Sequence, residues 1–223
     1  MMKDYKTVWT EGEAVLEIEK SKFIAHVLPI KNEAEALMFI ERIKKMHWDA
    51  THNVPVYVLG ANYQVQRYSD DGEPSGTAGI PVLEMIKHEG ITDICVVITR
   101  YFGGIKLGTG GLVRAYTQSA KEGLHAAQIV EKRVANHFEL TVAYHLHGKV
   151  QNALLNMDSV ILHKTDFAEA VTLDLYSSPT ITETLHANLV DLTSNQMVIN
   201  HLEDVYITLL ENKILQIDEE KGA

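Results

Sequence analysis

The chain has 223 residues, 46% hydrophobic and 22% charged, the balance of a globular protein with room for one large or two modest domains. Its net charge of −10 argues against a generic nucleic-acid-coating protein, and the single cysteine, Cys95, excludes a disulfide framework or a thiol metal site. No apolar run approaches the length that crosses a membrane, and Lys3, Asp4 and Lys6 ahead of Glu11 and Glu13 leave no apolar core for a signal peptide, so a cytoplasmic protein without a membrane partner is expected. The charge is unevenly spread: residues 1–127 carry 14 Lys and Arg against 16 Asp and Glu, residues 128–223 only 6 against 14. A phosphate-bearing partner should therefore meet the first half, while the acidic second half is open to a protein partner.

In chain order, residues 13–19 alternate charged residues with Ala14, Leu16 and Ile18, as a half-exposed strand does, and 23–28 read as its partner, ended by Pro29. Asn32 and Glu35 have capping-box spacing, and Leu37, Ile40, Ile43 and Met46 predict the buried stripe of the helix that follows. Arg42, Lys44 and Lys45 suit the negative end of that helix. Residues 53–59 and 63–68 read as an antiparallel pair around Gly60-Ala61-Asn62, and Pro55, lacking a ladder donor, predicts an edge strand. In the turn-rich stretch 69–79, Thr77 is the expected cap of a helix with Pro81 in its first turn, Leu83 and Ile86 on its core face and Gly90 as its stop.

The apolar run 94–98 reads as a buried strand, and Leu112, Ala115, Tyr116, Ser119 and Ala120 recur at the spacing of a helix from about Thr109 to Ala127. Residues 129–135 form a short strand or linker, and the domain boundary falls near Asn136. Beyond it come a strand over 138–144, a helix with Leu146, Val150, Leu154 and Met157 as its stripe, and strands over 160–165 and 170–176. A helix opened by Ser178-Pro179 follows, with Thr180 and Glu183 at capping-box spacing and Ile181, Leu185 and Leu189 facing inward, then a closing strand over 204–210. That β-α-β-β-α-β order is ferredoxin-like. The expected organisation is 1–135 as first domain, 136–212 as second, and 213–223 as a charged, frayed tail.

Between the buried strand and the helix lies Arg100-Tyr-Phe-Gly-Gly-Ile-Lys-Leu-Gly-Thr-Gly-Gly-Leu-Val-Arg-Ala-Tyr116, with five of the fourteen glycines in its first twelve residues. A strand, a glycine-rich loop and a helix start make a seat for an anion, because backbone amides and the positive helix end point the same way. The amides of Gly103, Gly104, Gly108, Gly110 and Gly111 would hold a phosphate, with Arg100, Lys106 and Arg114 supplying charge and Tyr101 or Phe102 stacking a base. Alternatively the glycines permit close packing alone. Asp70, Asp71 and Glu73 around Gly72 are candidates for Mg²⁺, for turn formation, or for pairing with those cations. His52, leading into the strand beneath them, is the histidine to retain. No P-loop, no Rossmann fingerprint and no nucleophile elbow is present.

Ser69-Asp-Asp-Gly-Glu-Pro-Ser-Gly-Thr-Ala-Gly-Ile-Pro81 followed by Val97-Ile-Thr-Arg-Tyr-Phe-Gly-Gly-Ile-Lys-Leu-Gly-Thr-Gly-Gly-Leu-Val-Arg-Ala-Tyr116 closely resembles the signature of the YigZ/IMPACT family, as do Ser21-Lys-Phe-Ile-Ala25 and Thr51-His-Asn53. The resemblance spans nearly the whole chain. It implies an α+β protein whose first domain is similar to a ribosomal-protein domain shared with GHMP-type kinases, followed by a ferredoxin-like domain similar to modules of elongation factor G. It also implies nucleic-acid or ribosome association; the eukaryotic relatives are linked to translational control through a partner of a stress kinase and carry an additional N-terminal partner-binding domain not expected here, so that interaction is not carried over. A proline dipeptidase label on some relatives finds no paired-metal ligand set in this sequence. The expected function is RNA or ribosome association in the regulation of translation. The alternative is a Mg²⁺-dependent enzyme acting on a phosphorylated metabolite or nucleotide through Asp70, Asp71 and Glu73.

Overall fold

The computed structural model describes residues 2–211 and 213–218, and the chain divides into two compact units, 1–132 and 133–223. In the first, β1 (Tyr5–Val8) is followed by a hairpin of β2 (Gly12–Ile18) and β3 (Ser21–Pro29). Its two-residue turn, Glu19-Lys20, has both residues in the left-handed region at φ 47° and 65°, which matches the strand twist as a mirror-image turn does. Then come α1 (Glu33–Met46), β4 (His52–Leu59), β5 (Val65–Tyr68), α2 (Gly79–His88), β6 (Ile94–Tyr101) and α3 (Gly108–Ala126).

The strands form an antiparallel sheet in the order β2-β3-β6-β4-β5. The central strand β6 is apolar throughout 94–98 because helices cover both of its faces. Ile94, Val96 and Ile98 pack with Leu83, Ile86, Leu112, Tyr116 and Ala120 of α2 and α3. Cys95 and Val97 pack with Ala36, Phe39 and Ile43 of α1, and burial pushes the Cys95 thiol pKa upward, so it stays protonated. Gly123 lets α3 lie close on β3, since a Cβ there would sit 2.8 Å from that of Ala25.

The Asn32 side chain accepts from the Glu35 amide at 3.0 Å, and the Glu35 carboxylate takes the Lys31 amide at 2.8 Å. The buried stripe of α1 nevertheless differs from expectation. Ala36, Phe39 and Ile43 face the sheet, while Leu37 and Met46 are exposed. A helix with apolar residues on two adjoining rows leaves its rotation to the sheet surface it meets. Pro55 corrects a second expectation, because β4 lies inside the sheet between β6 and β5. Its carbonyl accepts from Ser69, beyond the end of β5, so the missing N–H faces a loop and breaks no ladder bond.

The strand expected to stop near Asn136 is continuous. The first residues of β7 (Ile129–Val142) pair with β1 in the first unit, Val8 opposite Ile129, and the remainder serves the second unit. There α4 (Tyr144–Leu155), β8 (Val160–Phe167), β9 (Val171–Ser177), a 3₁₀ turn (Pro179–Ile181), α5 (Thr182–Thr193) and β10 (Met197–Leu210) follow. The strand order β10-β7-β9-β8, with Val150, Leu154, Leu185 and Leu189 of the helices packed on Leu140, Leu173 and Leu175, is the ferredoxin-like arrangement. Ser178, rather than Thr180, provides the cap, accepting from the Thr180 amide. The expected frayed tail is ordered in part: Lys213–Asp218 forms β11 against β10, and residues 219–223 lie outside the described residues.

Candidate functional site

Alternation along β6 decides what lies at its end. Arg100 continues the row of Val96 and Ile98 and so points under α3, while Tyr101 continues the row of Cys95 and Val97 toward α1. Arg100 is only 5% exposed. Its Nη1 donates to Glu73 Oε1 at 2.6 Å, its Nη2 reaches Ser21 Oγ at 3.4 Å, and its guanidinium lies 5.3 and 5.4 Å from the ring centres of Phe23 and Phe102. Glu73 is itself buried and also accepts from the Tyr116 hydroxyl at 2.8 Å. Burial, and then the carboxylate beside it, push the Tyr116 pKa upward and keep that hydroxyl a donor. Arg100 is therefore no solvent-facing phosphate ligand, in contrast to the sequence expectation; its charge is neutralised inside the domain.

The carboxylate loop is likewise structural. Asp70 Oδ1 accepts from the amides of Ala78 and Gly79 at 3.1 and 2.8 Å, and Oδ2 from Gly76 at 2.8 Å. Ala78 occupies the cap position of α2 and has no acceptor side chain, so Asp70 caps the helix from eight residues upstream. Thr77, the expected cap, donates to the Pro74 carbonyl instead. Asp71 Oδ2 accepts from the Asn53 amide at 2.6 Å, replacing a strand partner where β5 has ended, and Oδ1 lies 3.5 Å from Lys44 Nζ. The Asp71 carbonyl accepts from His52 Nδ1 at 2.6 Å, which leaves His52 Nε2 3.8 Å from Glu73 Oε2. Gly72 makes the turn at φ 90°. The three carboxylates thus serve three separate sets of protein donors, and among the described residues no three His, Cys, Asp or Glu side chains converge as a metal site.

What remains open to solvent is the outer part of the loop. Gly103 is fixed by packing, because a Cβ there would lie 2.0 Å from the Lys20 carbonyl carbon. Its amide donates to Ser21 Oγ at 3.1 Å. Gly104 and Gly108 take left-handed φ values of 85° and 71°, and Gly111 sits against Leu107. Gly110 has neither reason: its φ is ordinary and a Cβ would meet open space. Leu107, at the cap of α3, offers no side-chain acceptor to the first-turn amides. Lys106 and Arg114 are exposed, with no carboxylate in salt-bridge reach among the described residues. Of the two aromatic residues, Phe102 is 46% exposed, whereas the half-buried Tyr101 donates to Asp49 Oδ1 at 3.2 Å and lies 3.0 Å from His47 Nδ1. Sequence reasoning did not mark Lys20, Ser21 or Lys22 as neighbours of the loop. The resemblance of 21–25 to the family signature was the available signal for Ser21 and Lys22.

These features define a two-domain α+β protein in which an IMPACT-type first domain carries the loop and a ferredoxin-like domain follows. The Impact N-terminal domain family matches residues 19–124, and the domain of unknown function DUF1949 matches residues 140–196. The chain is similar to IMPACT family member YvyE of Bacillus subtilis, 40% identical over 218 residues that cover 98% of this chain and 100% of the relative. It is also similar to IMPACT family member YigZ of Escherichia coli, 32% identical over 192 residues, 85% of this chain and 94% of the relative. A crystal structure described as that of an hypothetical protein superposes with a TM-score of 0.56 at 30% identity, covering 91% of this chain and 99% of that one. The chain belongs to the IMPACT family. Likeness to the Protein IMPACT homolog of Dictyostelium discoideum, 36% identical, is partial and covers 46% of this chain and 30% of that protein.

Proposed function

We propose that the first domain binds RNA, alone or within the ribosome, in the regulation of translation, and that the start of α3 seats a phosphate. The observation that carries this reading is the pair of exposed cations, Lys106 and Arg114, without a carboxylate partner among the described residues, just before and in the first two turns of a 19-residue helix whose N-terminus has no side-chain cap. In a chain of net charge −10 such a patch is local. Arg100, Glu73, Asp70 and Asp71 act as the frame that holds this surface rather than as ligands.

The test is co-sedimentation with ribosomes across a salt series, wild type beside Lys106→Ala/Arg114→Ala. Wild type should pellet in a salt-sensitive way, and the double variant should lose roughly 0.7–0.9 of log–log salt slope for each phosphate contact removed. Equal pelleting of the two forms with equal slopes, or no pelleting of wild type, would reject the reading.

Gly110 supplies an independent check. A helical glycine without a packing or conformational reason costs stability relative to alanine, so Gly110→Ala should raise thermal stability by roughly 0.5 kcal/mol. The added methyl stands where a phosphate would approach the first-turn amides, and RNA affinity should fall. Stabilisation without loss of affinity would move the phosphate elsewhere.

A further inference from the structure

Two histidines that the loop does not use meet where α1 ends. His26 of β3 is buried, and its Nε2 lies 3.1 Å from Nε2 of His47, the residue that closes α1. A nitrogen pair at that distance holds one hydrogen. The outer nitrogens are engaged as well. His26 Nδ1 lies 3.3 Å from Glu13 Oε2, and His47 Nδ1 lies 3.0 Å from the Tyr101 hydroxyl, which in turn reaches Asp49 Oδ1 at 3.2 Å. Glu13, His26, His47, Tyr101 and Asp49 thus form one line of contacts that joins β2, β3, the end of α1, β6 and the turn 47–51. Each contact takes one hydrogen. Two neutral imidazoles and one hydroxyl leave the line one hydrogen short, and a first added proton completes it. A second added proton has no place, because it sets N–H against N–H across the gap between the two rings.

The charges around the pair come from every element packed on it. Glu13 stands opposite His26 in the sheet register, Glu11 is paired with Arg42 of α1, and Lys44 near the end of α1 is paired with Asp71. Lys22 stands opposite Tyr101, and Glu17 opposite Lys22. Burial is the largest influence on His26 and lowers its pKa from the ordinary 6.5; Glu13 opposes the fall, His47 adds to it, Glu11 opposes it and Arg42 adds to it. We propose that the His26–His47 pair is an acid-released latch, closed at neutral pH and opened by protonation, that holds the turn 47–51 against the sheet. The sign follows from the hydrogen count. The closed pair has room for one added proton and the separated imidazoles for one each, so opening takes up protons and falling pH favours it. Tyr101 keeps its hydrogen throughout, since burial and then Asp49 push its pKa upward. The turn stays tethered when His47 leaves His26, because Asn53 Nδ2 donates to the His47 carbonyl at 3.1 Å and the Thr51 amide to the Arg100 carbonyl at 2.9 Å. The Phe102 amide donates to Thr51 Oγ1 at 3.0 Å, so the loosening reaches the first residues of the glycine loop.

The experiment is NMR of the full chain without ligand, from about pH 7.5 to about pH 5, the range in which histidine titrates. Amide protection factors, corrected for the intrinsic pH dependence of exchange, are followed over 47–51 and at Phe102. With one extra proton taken up on opening, they should fall roughly tenfold per pH unit on the acid side of the transition. The central strand, 94–98, should keep its protection. His26→Gln combined with His47→Gln removes both titrating rings, and the same amides should then hold level across the range. Level protection in wild type overturns the latch, and so does an equal fall in the double variant. A fall that includes 94–98 also overturns it, since that is acid unfolding of the whole domain. Should the double variant not fold, the ring nitrogens of wild type decide. Loss of the shared Nε2 hydrogen in the same step as the amide protection supports the latch; two rings that titrate singly with their contact intact overturn it.

Discussion

Replacing Arg100 with alanine should destabilise the protein by about 3–5 kcal/mol, because it removes the permanent charge paired with the buried Glu73 carboxylate and leaves it the Tyr116 hydroxyl and, at 3.8 Å, His52 Nε2. The midpoint of thermal unfolding should fall by roughly 10 °C for a protein of this size. Lysine at 100 should not rescue it, since an ammonium lacks the planar group that lies between Phe23 and Phe102 while bonding both Glu73 and Ser21. Arg100→Met combined with Glu73→Leu should recover most of the loss, because removal of both charges together also removes their desolvation cost. The same double variant separates framework from ligand. If Arg100 is internal, ribosome pelleting by this variant keeps the wild-type salt slope. A slope lower by about one phosphate contact would instead return Arg100 to the binding surface.

That prediction differs from the sequence reading, and the difference shows where sequence stops being informative. Features set by neighbours in the chain were legible. Asn32 and Glu35 meet at the start of α1 because three residues separate them, and Leu112, Ala115, Tyr116, Ser119 and Ala120 all lie on the buried face of α3 because helical spacing puts them there. The second domain was readable for the same reason, since each of its strands and helices has a clear period. Features set by distant residues were not. Nothing local distinguishes an arginine aimed at solvent from one aimed at Glu73, which lies 27 residues away in sequence. Pro55 looks like an edge residue until it is known that β5 ends one register position short of it.

The glycine loop shows both limits within a dozen residues. Its conformational glycines, Gly104 and Gly108, follow from a turn that any reader of the sequence would expect. Gly103 is required by the backbone of Lys20, contributed by a hairpin some eighty residues earlier. Gly110 is required by neither, since a Cβ there would meet open space. Conserving space for a partner and conserving space for the chain itself call for the same residue, and only the surroundings tell them apart.

Asp70→Ala should cost about 2–3 kcal/mol of stability, the combined effect of losing a helix cap and a charged acceptor for three amides. Asp70→Asn should fall between, at about 1 kcal/mol, since one oxygen can still serve Ala78 and Gly79 while its amide group faces the Gly76 N–H donor to donor. The decisive comparison is with magnesium. Were Asp70 a ligand of Mg²⁺ beside Asp71 and Glu73, adding the cation would raise the wild-type midpoint by mass action, and Asp70→Ala would abolish that increment. A cap predicts otherwise: the loss in Asp70→Ala is the same in EDTA and in millimolar Mg²⁺, and wild type is not stabilised by the cation. Because Asp70 fixes the start of α2, Asp71 completes β4 and Glu73 anchors Arg100, loss of any one carboxylate should loosen the floor beneath the glycine loop. A fall in RNA affinity in Asp70→Ala that tracks its fall in stability, and that is restored at lower temperature, would mark the carboxylates as support for the binding surface rather than part of its chemistry.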